Sequence, residues 1–195
     1  TLTARLDDRL DTAAYADVDA SANGLQVGPD DATVDRAAFA VDAAAATIED
    51  AADAGADLLV THHGLVWGGL DRVTGREYGA VAALVEHDIA LYVAHLPLDG
   101  HPSLGNAAGL ADHLALGDQA AFGTIGPVTI GRQGRATEPY TPASLRERLA
   151  ELDTGGREPR VLDFGPERIE DVAVVTGSGV DWLDEAADAG VDALV

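Results

Sequence analysis

The sequence predicts an α/β chain of two related lobes, and three observations predict it. Short apolar runs alternate with Ala-rich stretches of helical period. A strand–helix–strand pattern occurs twice, at a fixed separation of 135 residues. The histidines gather where two of the strands should end.

Leu2, Leu6 and Leu10 stand at i, i+4 and i+8, so Leu2 to Ala14 reads as an opening amphipathic helix. A polar stretch from Asp17 to Asp31 follows and holds Asn23-Gly24-Leu25-Gln26-Val27-Gly28. Ala37 to Val41 is expected as a strand and Ala43 to Ala54 as a helix, with Gly55 as its C-terminal stop. Leu58-Leu59-Val60 forms the next strand and runs straight into Thr61-His62-His63-Gly64. Arg76 to Glu86 is helical, and Ile89 to Val93 is a strand that ends at Ala94-His95-Leu96-Pro97-Leu98-Asp99. Leu104 to Leu116 resumes a helix. Two strand-like pieces follow around Phe122 to Ile130, in a Gly-, Thr- and Pro-rich segment. Thr141 then caps a helix with Pro142 in its first turn, running to Leu152.

Residues 49–60 read EDAADAGADLLV and residues 184–195 read DEAADAGVDALV, with eight of twelve positions identical. The preceding strands correspond at the same offset, Ala38–Val41 with Ala173–Thr176. Resemblance between any two Ala/Asp-rich helices is the bland explanation. The match also keeps the Gly stop and the following strand in register, which favours duplication of a whole unit. The expected lobes are residues 1–116 and 117–195. In the first copy Thr-His-His-Gly follows the strand directly, whereas the second copy reaches Val195 where that loop should begin. A buried-type strand is an unusual terminus, so the C-terminus is expected to be incomplete.

Composition narrows the classes. Thirty-four acids, 24 of them Asp, face 12 basic residues that are all Arg, for a net charge of −22 with no Lys. At 47% hydrophobic the chain can still bury a core, so it is not a disordered acidic tail. Molar salt shortens the Debye length to about 3 Å, and packed carboxylates then stop repelling one another. The charge therefore reads as salt adaptation, the mark of a halophilic source. Duplex nucleic acid would be repelled over the whole surface unless metal or high salt intervened. No apolar run approaches the roughly 18 residues of a membrane helix, and no charged-then-apolar leader opens the chain, so a cytoplasmic location is expected. Cys is absent, which excludes disulfides, a thiolate nucleophile and Cys-ligated zinc.

Five of the six histidines lie between residues 62 and 101. His62 and His63 close one strand, while His95, Asp99 and His101 follow another. Strand carboxyl ends form the binding edge of an α/β sheet, so both clusters should open onto one crevice. Consecutive residues of extended backbone point to opposite sides, which makes the His pair awkward for a single ion and better suited to two. Asp99 is the candidate bridge across the roughly 3.5–4 Å that separates paired ions, or completes the shell of one of them. Imidazole and carboxylate donors without sulfur point to Zn, Mn, Fe or Co. His95 and His101 are each open to a role supporting the metal ligands from behind, facing substrate, or purely structural. His87 and His113 read as surface or structural histidines. Gly177-Ser178-Gly179 is a weak candidate for an anion-binding loop.

Three ordered motifs carry a resemblance. They are Asn-Gly-Leu-Gln-Val-Gly at 23–28, Thr-His-His-Gly-Leu-Val-Trp-Gly at 61–68, and Ala-His-Leu-Pro-Leu-Asp-Gly-His-Pro-x-Leu-Gly-Asn at 94–106. Together they resemble the dinuclear-metal-centre hexamer family, also called NGG-one-interacting-factor-three-like and often named GTP cyclohydrolase I type 2. The likeness runs through the Val-Val-Thr-Gly-Ser-Gly loop to the end of the chain. It implies two α/β lobes, a toroidal homohexamer and metal pairs facing an internal cavity. It implies His62, His63 and Asp99 as metal ligands, completed by a His and a Glu beyond position 195. The implied activity is metal-dependent hydrolysis, with water attacking C8 of a guanine and His95 or His101 moving protons. A metal-dependent phosphoesterase and a non-catalytic metal-binding ring acting as scaffold or regulator are the alternatives.

Overall fold

Leu- and Val-rich runs separated by Ala-rich helices favour parallel strand pairing, and the described residues form three parallel pairs. The computed structural model describes residues 1–29 and 31–195, in two compact units, Thr1–Leu98 and Asp99–Val195. Asp30, within the expected polar stretch, lies outside the described residues. From sequence the first lobe is expected to extend to residue 116. The first unit ends earlier, because the helix Asn106–His113 packs Ala107 and Ala111 into the second unit's core.

The first unit opens with α1 (Leu2–Leu10), whose N-terminus is capped by the Thr1 hydroxyl. The expected helix to Ala14 is broken at Asp11, in left-handed backbone, and continues as a 3-10 turn, Thr12–Tyr15. Strands β1 (Gly24–Val27), β2 (Ala37–Asp42), β3 (Leu58–His63) and β4 (Ala90–Val93) form a sheet of order β1-β4-β3-β2. β3 runs parallel to both β2 and β4, and β1 pairs antiparallel with β4. Four residues of mixed polarity give β1 no readable period, and its strand character comes from pairing with β4.

Helices α2 (Ala45–Asp53) and α3 (Gly75–Glu86) cover one sheet face, where Ile48, Leu59, Leu84, Leu91 and Val93 are wholly buried. Each such side chain contributes about 1.5–3 kcal/mol on leaving water. On the other face α1 sets Leu10 against Leu58, Ala90 and Tyr92. The Tyr92 hydroxyl donates to Asp7 Oδ1 at 2.9 Å; burial first, then this carboxylate, push the phenol's pKa up.

The single turn α4 (Leu96–Asp99) ends on the residue that opens the second unit. There α5 (Asn106–His113) precedes the hairpin β5 (Leu116–Ile125) and β6 (Val128–Tyr140). These strands are longer than the two pieces expected around 122–130, because glycines and polar side chains mask their alternation. Helix α6 (Pro142–Ala150) begins with a reciprocal cap between Thr141 and Ser144. Strand β7 (Ile169–Val175), a 3-10 turn (Gly179–Trp182), α7 (Leu183–Ala189) and β8 (Ala193–Leu194) follow, in a sheet of order β5-β6-β7-β8.

The internal repeat is structural. β2–α2–β3 and β7–α7–β8 are both parallel strand–helix–strand units, and their pairing registers coincide at the 135-residue offset. Ala37 faces Leu58 as Val172 faces Ala193, and Ala38 faces Leu59 as Ala173 faces Leu194. A carboxylate clip is repeated too. Asp57 Oδ2 accepts the amides of Asp35 and Arg36 at 2.9 and 2.8 Å, and Asp192 Oδ2 those of Glu170 and Asp171 at 2.8 and 3.0 Å. Among the described residues, no helix is long and apolar enough to cross a membrane.

Candidate metal centre

Parallel pairing of β3 and β4 brings their carboxyl ends to one edge of the first sheet. Thr61 is opposite Val93, so His62 and His63 reach that edge beside Ala94 and His95. The ring centroids of His62 and His63 are 4.6 Å apart, and that of His95 is 4.9 Å from the first and 5.7 Å from the second. The divergence expected of adjacent strand residues is therefore not seen. Alternation belongs to the regular strand interior; His63 is the last residue of β3, where the chain leaves for Gly64. One ligand atom from each of His62, His63 and His95 lies within 4.8 Å of the other two, a spacing at which a single ion can be shared.

Each imidazole is anchored through Nδ1, and each anchor is different. His62 Nδ1 is 3.0 Å from the Ala94 carbonyl oxygen, His63 Nδ1 is 2.7 Å from Asp42 Oδ1, and His95 Nδ1 is 2.8 Å from Asp19 Oδ1. Carbonyls and carboxylates only accept, so each Nδ1 carries the hydrogen and Nε2 is the nitrogen presented as ligand. The Asp19 side chain is buried and saturated, accepting also from Asn23 Nδ2 and from the amides of Ser21 and Leu96. Burial acts to raise its carboxyl pKa, but the bonds from His95, Asn23 and these amides outweigh it and hold the group below its ordinary range.

The Asn-Gly-Leu-Gln motif is scaffolding for the two histidine loops. Asn23 Oδ1 accepts the His95 amide at 2.8 Å. Gln26 Oε1 accepts the amides of Leu65 and Val66 at 2.8 and 3.1 Å. Between them Gly64 passes so close that a Cβ there would stand 2.4 Å from Gln26 Oε1 and 2.6 Å from Val93 Cγ2. Trp67 closes one side: its indole N–H donates to the Gly64 carbonyl, and its ring stands edge-on to His95 at 4.9 Å. A cavity of about 430 Å³ adjoins the cluster, lined by Asp42, His63, Leu65, Trp67, Arg76 and Glu77 among others.

The other candidate residues lie in the second unit. Asp99 is buried and accepts from Asn106 Nδ2 at 2.8 Å. His101 is also buried, and its Nδ1 accepts the amides of Ser103 and Leu104, so Nε2 carries its hydrogen when the ring is neutral. This is the opposite arrangement to the three clustered histidines. His87 is exposed at the end of α3, and His113 Nε2 lies 2.8 Å from the Arg148 carbonyl oxygen, both as expected for surface or structural residues.

Asp19 and Asp42 are invisible to sequence reasoning as site residues, since nothing distinguishes two acids among 34. The motif at 23–28, two residues beyond Ser21, was the signal nearest to Asp19.

Residues 1–195 match the Duf34/NIF3 (NGG1p interacting factor 3) family throughout. The chain belongs to this family. Among its Duf34/NIF3-type relatives, a GTP cyclohydrolase 1 type 2 homolog of Halobacterium salinarum is 59% identical over 195 residues, all of this chain and 76% of that protein. A protein of the same name from Treponema pallidum is 37% identical, over 95% of this chain and 76% of its own length. A solved structure titled protein ybgI, unknown function, superposes with a TM-score of 0.86 at 34% identity, covering 99% of this chain and 75% of that one. The two-sheet α/β architecture is thus that of Duf34/NIF3 proteins.

Proposed function

We propose that this Duf34/NIF3 protein is a metal-dependent hydrolase of the GTP cyclohydrolase 1 type 2 kind, with its metal at the three-histidine cluster. The observation that carries the reading is the shared tautomer: three imidazoles with Nδ1 engaged and one ligand atom each within 4.8 Å of the others. That donor set, without sulfur, fits Zn, Mn, Fe or Co. A bound ion would supply Lewis acidity for activating water near neutral pH.

In this proposal His62 and His63 are ligands and Asp99 extends the set toward a second ion. His95 and His101 move protons, each at Nε2, because hydrogen bonds occupy Nδ1 in both. His95 also stands within ligand reach, so it is the residue whose role an experiment separates. The relatives' name supports GTP as the first substrate to try, and the homohexamer implied by the family likeness belongs to the same proposal.

The test combines metal analysis with turnover. Protein loaded with Zn or Mn is incubated with GTP and followed by ring-opening absorbance, beside His62→Ala/His63→Ala and His95→Ala variants. The double variant is expected to lose bound metal and all turnover. His95→Ala is expected to keep the metal and lose at least about 100-fold in rate, the usual scale for a proton-transfer group. Equal rates in wild type and double variant would sink the cyclohydrolase reading. Turnover of phosphodiesters instead would make it a phosphoesterase, and metal bound without any turnover would make it a scaffold.

A further inference from the structure

The three anchors differ in exposure. The Asp19 side chain is 1% exposed and its partner His95 21%, whereas Asp42 is 63% and His63 43% exposed. His62 is held by backbone, the Ala94 carbonyl. His63 thus depends on a carboxylate at the end of β2, the edge strand of its sheet. That carboxylate is placed by the fold: Asp42 is opposite His63 in the β2–β3 ladder, and the next rung, Ala43 N–H to the His63 carbonyl at 2.9 Å, fixes the backbone beyond it.

We propose that Asp42 is a positioning residue that presets His63 as a metal ligand through Nε2. The inference rests on the reading of the histidine cluster as a metal centre. An isolated neutral imidazole in water prefers its hydrogen on Nε2, the atom that must bind the ion. Accepting the hydrogen at Nδ1 reverses that preference, so His63 meets the metal without first shifting its tautomer. His62 and His95 receive the same service from groups that Asp42 does not touch. Its removal therefore alters one histidine of the cluster and leaves the other two preset. Metal held through His63 is consequently the most weakly secured, because its anchor is the one open to water.

The experiment uses the full chain with 15N-labelled histidine, comparing wild type with Asp42→Ala and Asp42→Asn. Long-range 1H–15N correlation on metal-free protein reads which ring nitrogen carries the hydrogen. In wild type His63 is expected with its hydrogen on Nδ1. In Asp42→Ala it moves to Nε2 while His62 and His95 stay unchanged. An asparagine side chain keeps an acceptor oxygen, so Asp42→Asn recovers most of the wild-type signal. Titration with Co2+, followed by its visible absorption, is expected to show a 10- to 100-fold loss of affinity in Asp42→Ala, the usual cost of removing such a partner. The thermal midpoint, measured in parallel, should hold, since Asp42 is exposed. An unchanged His63 tautomer, or a shifted tautomer with wild-type Co2+ affinity, overturns the proposal. Failure of wild type itself to bind Co2+ would instead overturn the metal centre, and the ligand role of His63 with it.

Discussion

The β2–α2–β3 and β7–α7–β8 units share a strand register and a carboxylate clip, yet equivalent positions in them are buried to different depths. In the first, Ile48 of α2 is wholly buried under α3, while Phe39 on the far side of β2 is 75% exposed. At the equivalent positions of the second, Leu183 of α7 is 56% exposed and Val174 of β7 is wholly buried against α5 and α6. One local scaffold thus serves two cores. Local hydrogen bonds specify the unit, and the elements added around it decide how deeply each position is buried. Only in the first unit does the second strand continue, within this chain, into a histidine pair.

The comparison is open to experiment at three scales. Charge is shared evenly, with 17 acids and 5 arginines in residues 1–98 against 17 and 7 in residues 99–195. If that charge is salt adaptation, lowering KCl from about 3 M to about 0.1 M removes the screening from both units. Near-UV CD should then be lost in a single transition; a signal unchanged across the range would refute salt adaptation. At the next scale, Ile48→Ala should cost about 2–5 kcal/mol in denaturant unfolding. Its repeat equivalent Leu183→Ala should stay within about 0.5 kcal/mol. Similar losses at both positions would mean that α2 and α7 pack equally tightly onto their sheets after all.

The smallest effect concerns pH. Backbone amides, those of Arg36 and Asp35 for Asp57 and of Asp171 and Glu170 for Asp192, hold both carboxyls below the ordinary 3.8. A carboxyl lowered by folding stabilises the fold above its unfolded value and loses that contribution as pH falls through the folded one. Acid unfolding below about pH 4 should therefore become shallower in Asp57→Ala and in Asp192→Ala, by similar amounts. Followed by CD, a change in one variant only would show that the two clips are not equivalent.

Much of this was legible in the sequence. Periodicity and Gly stops located β2, α2, β3, α3 and β4, and the offset of 135 exposed the duplication. Strand β1 was not legible, because Gly24–Val27 owes its extended form to β4 and carries no pattern of its own. His62 and His63 were legible as a site through their position after a strand. Their convergence was not, since alternation is a rule for strand interiors and β3 ends on His63. Asp19 and Asp42 were hidden for a compositional reason: in a chain this acidic, a carboxylate gains meaning only from what stands opposite it.

The clips at Asp57 and Asp192 carry a practical lesson for anyone lowering this protein's charge. Stripping acids is the obvious route, and most substitutions on so acidic a surface would look interchangeable. These two are not decoration. Each stitches the start of one strand to the strand beside it through two adjacent amides, a task that neither Lys nor Ser can take over. A redesign that spares this pair, together with Asp19 and Asp42, can thin the surface charge without unpicking the protein's seams.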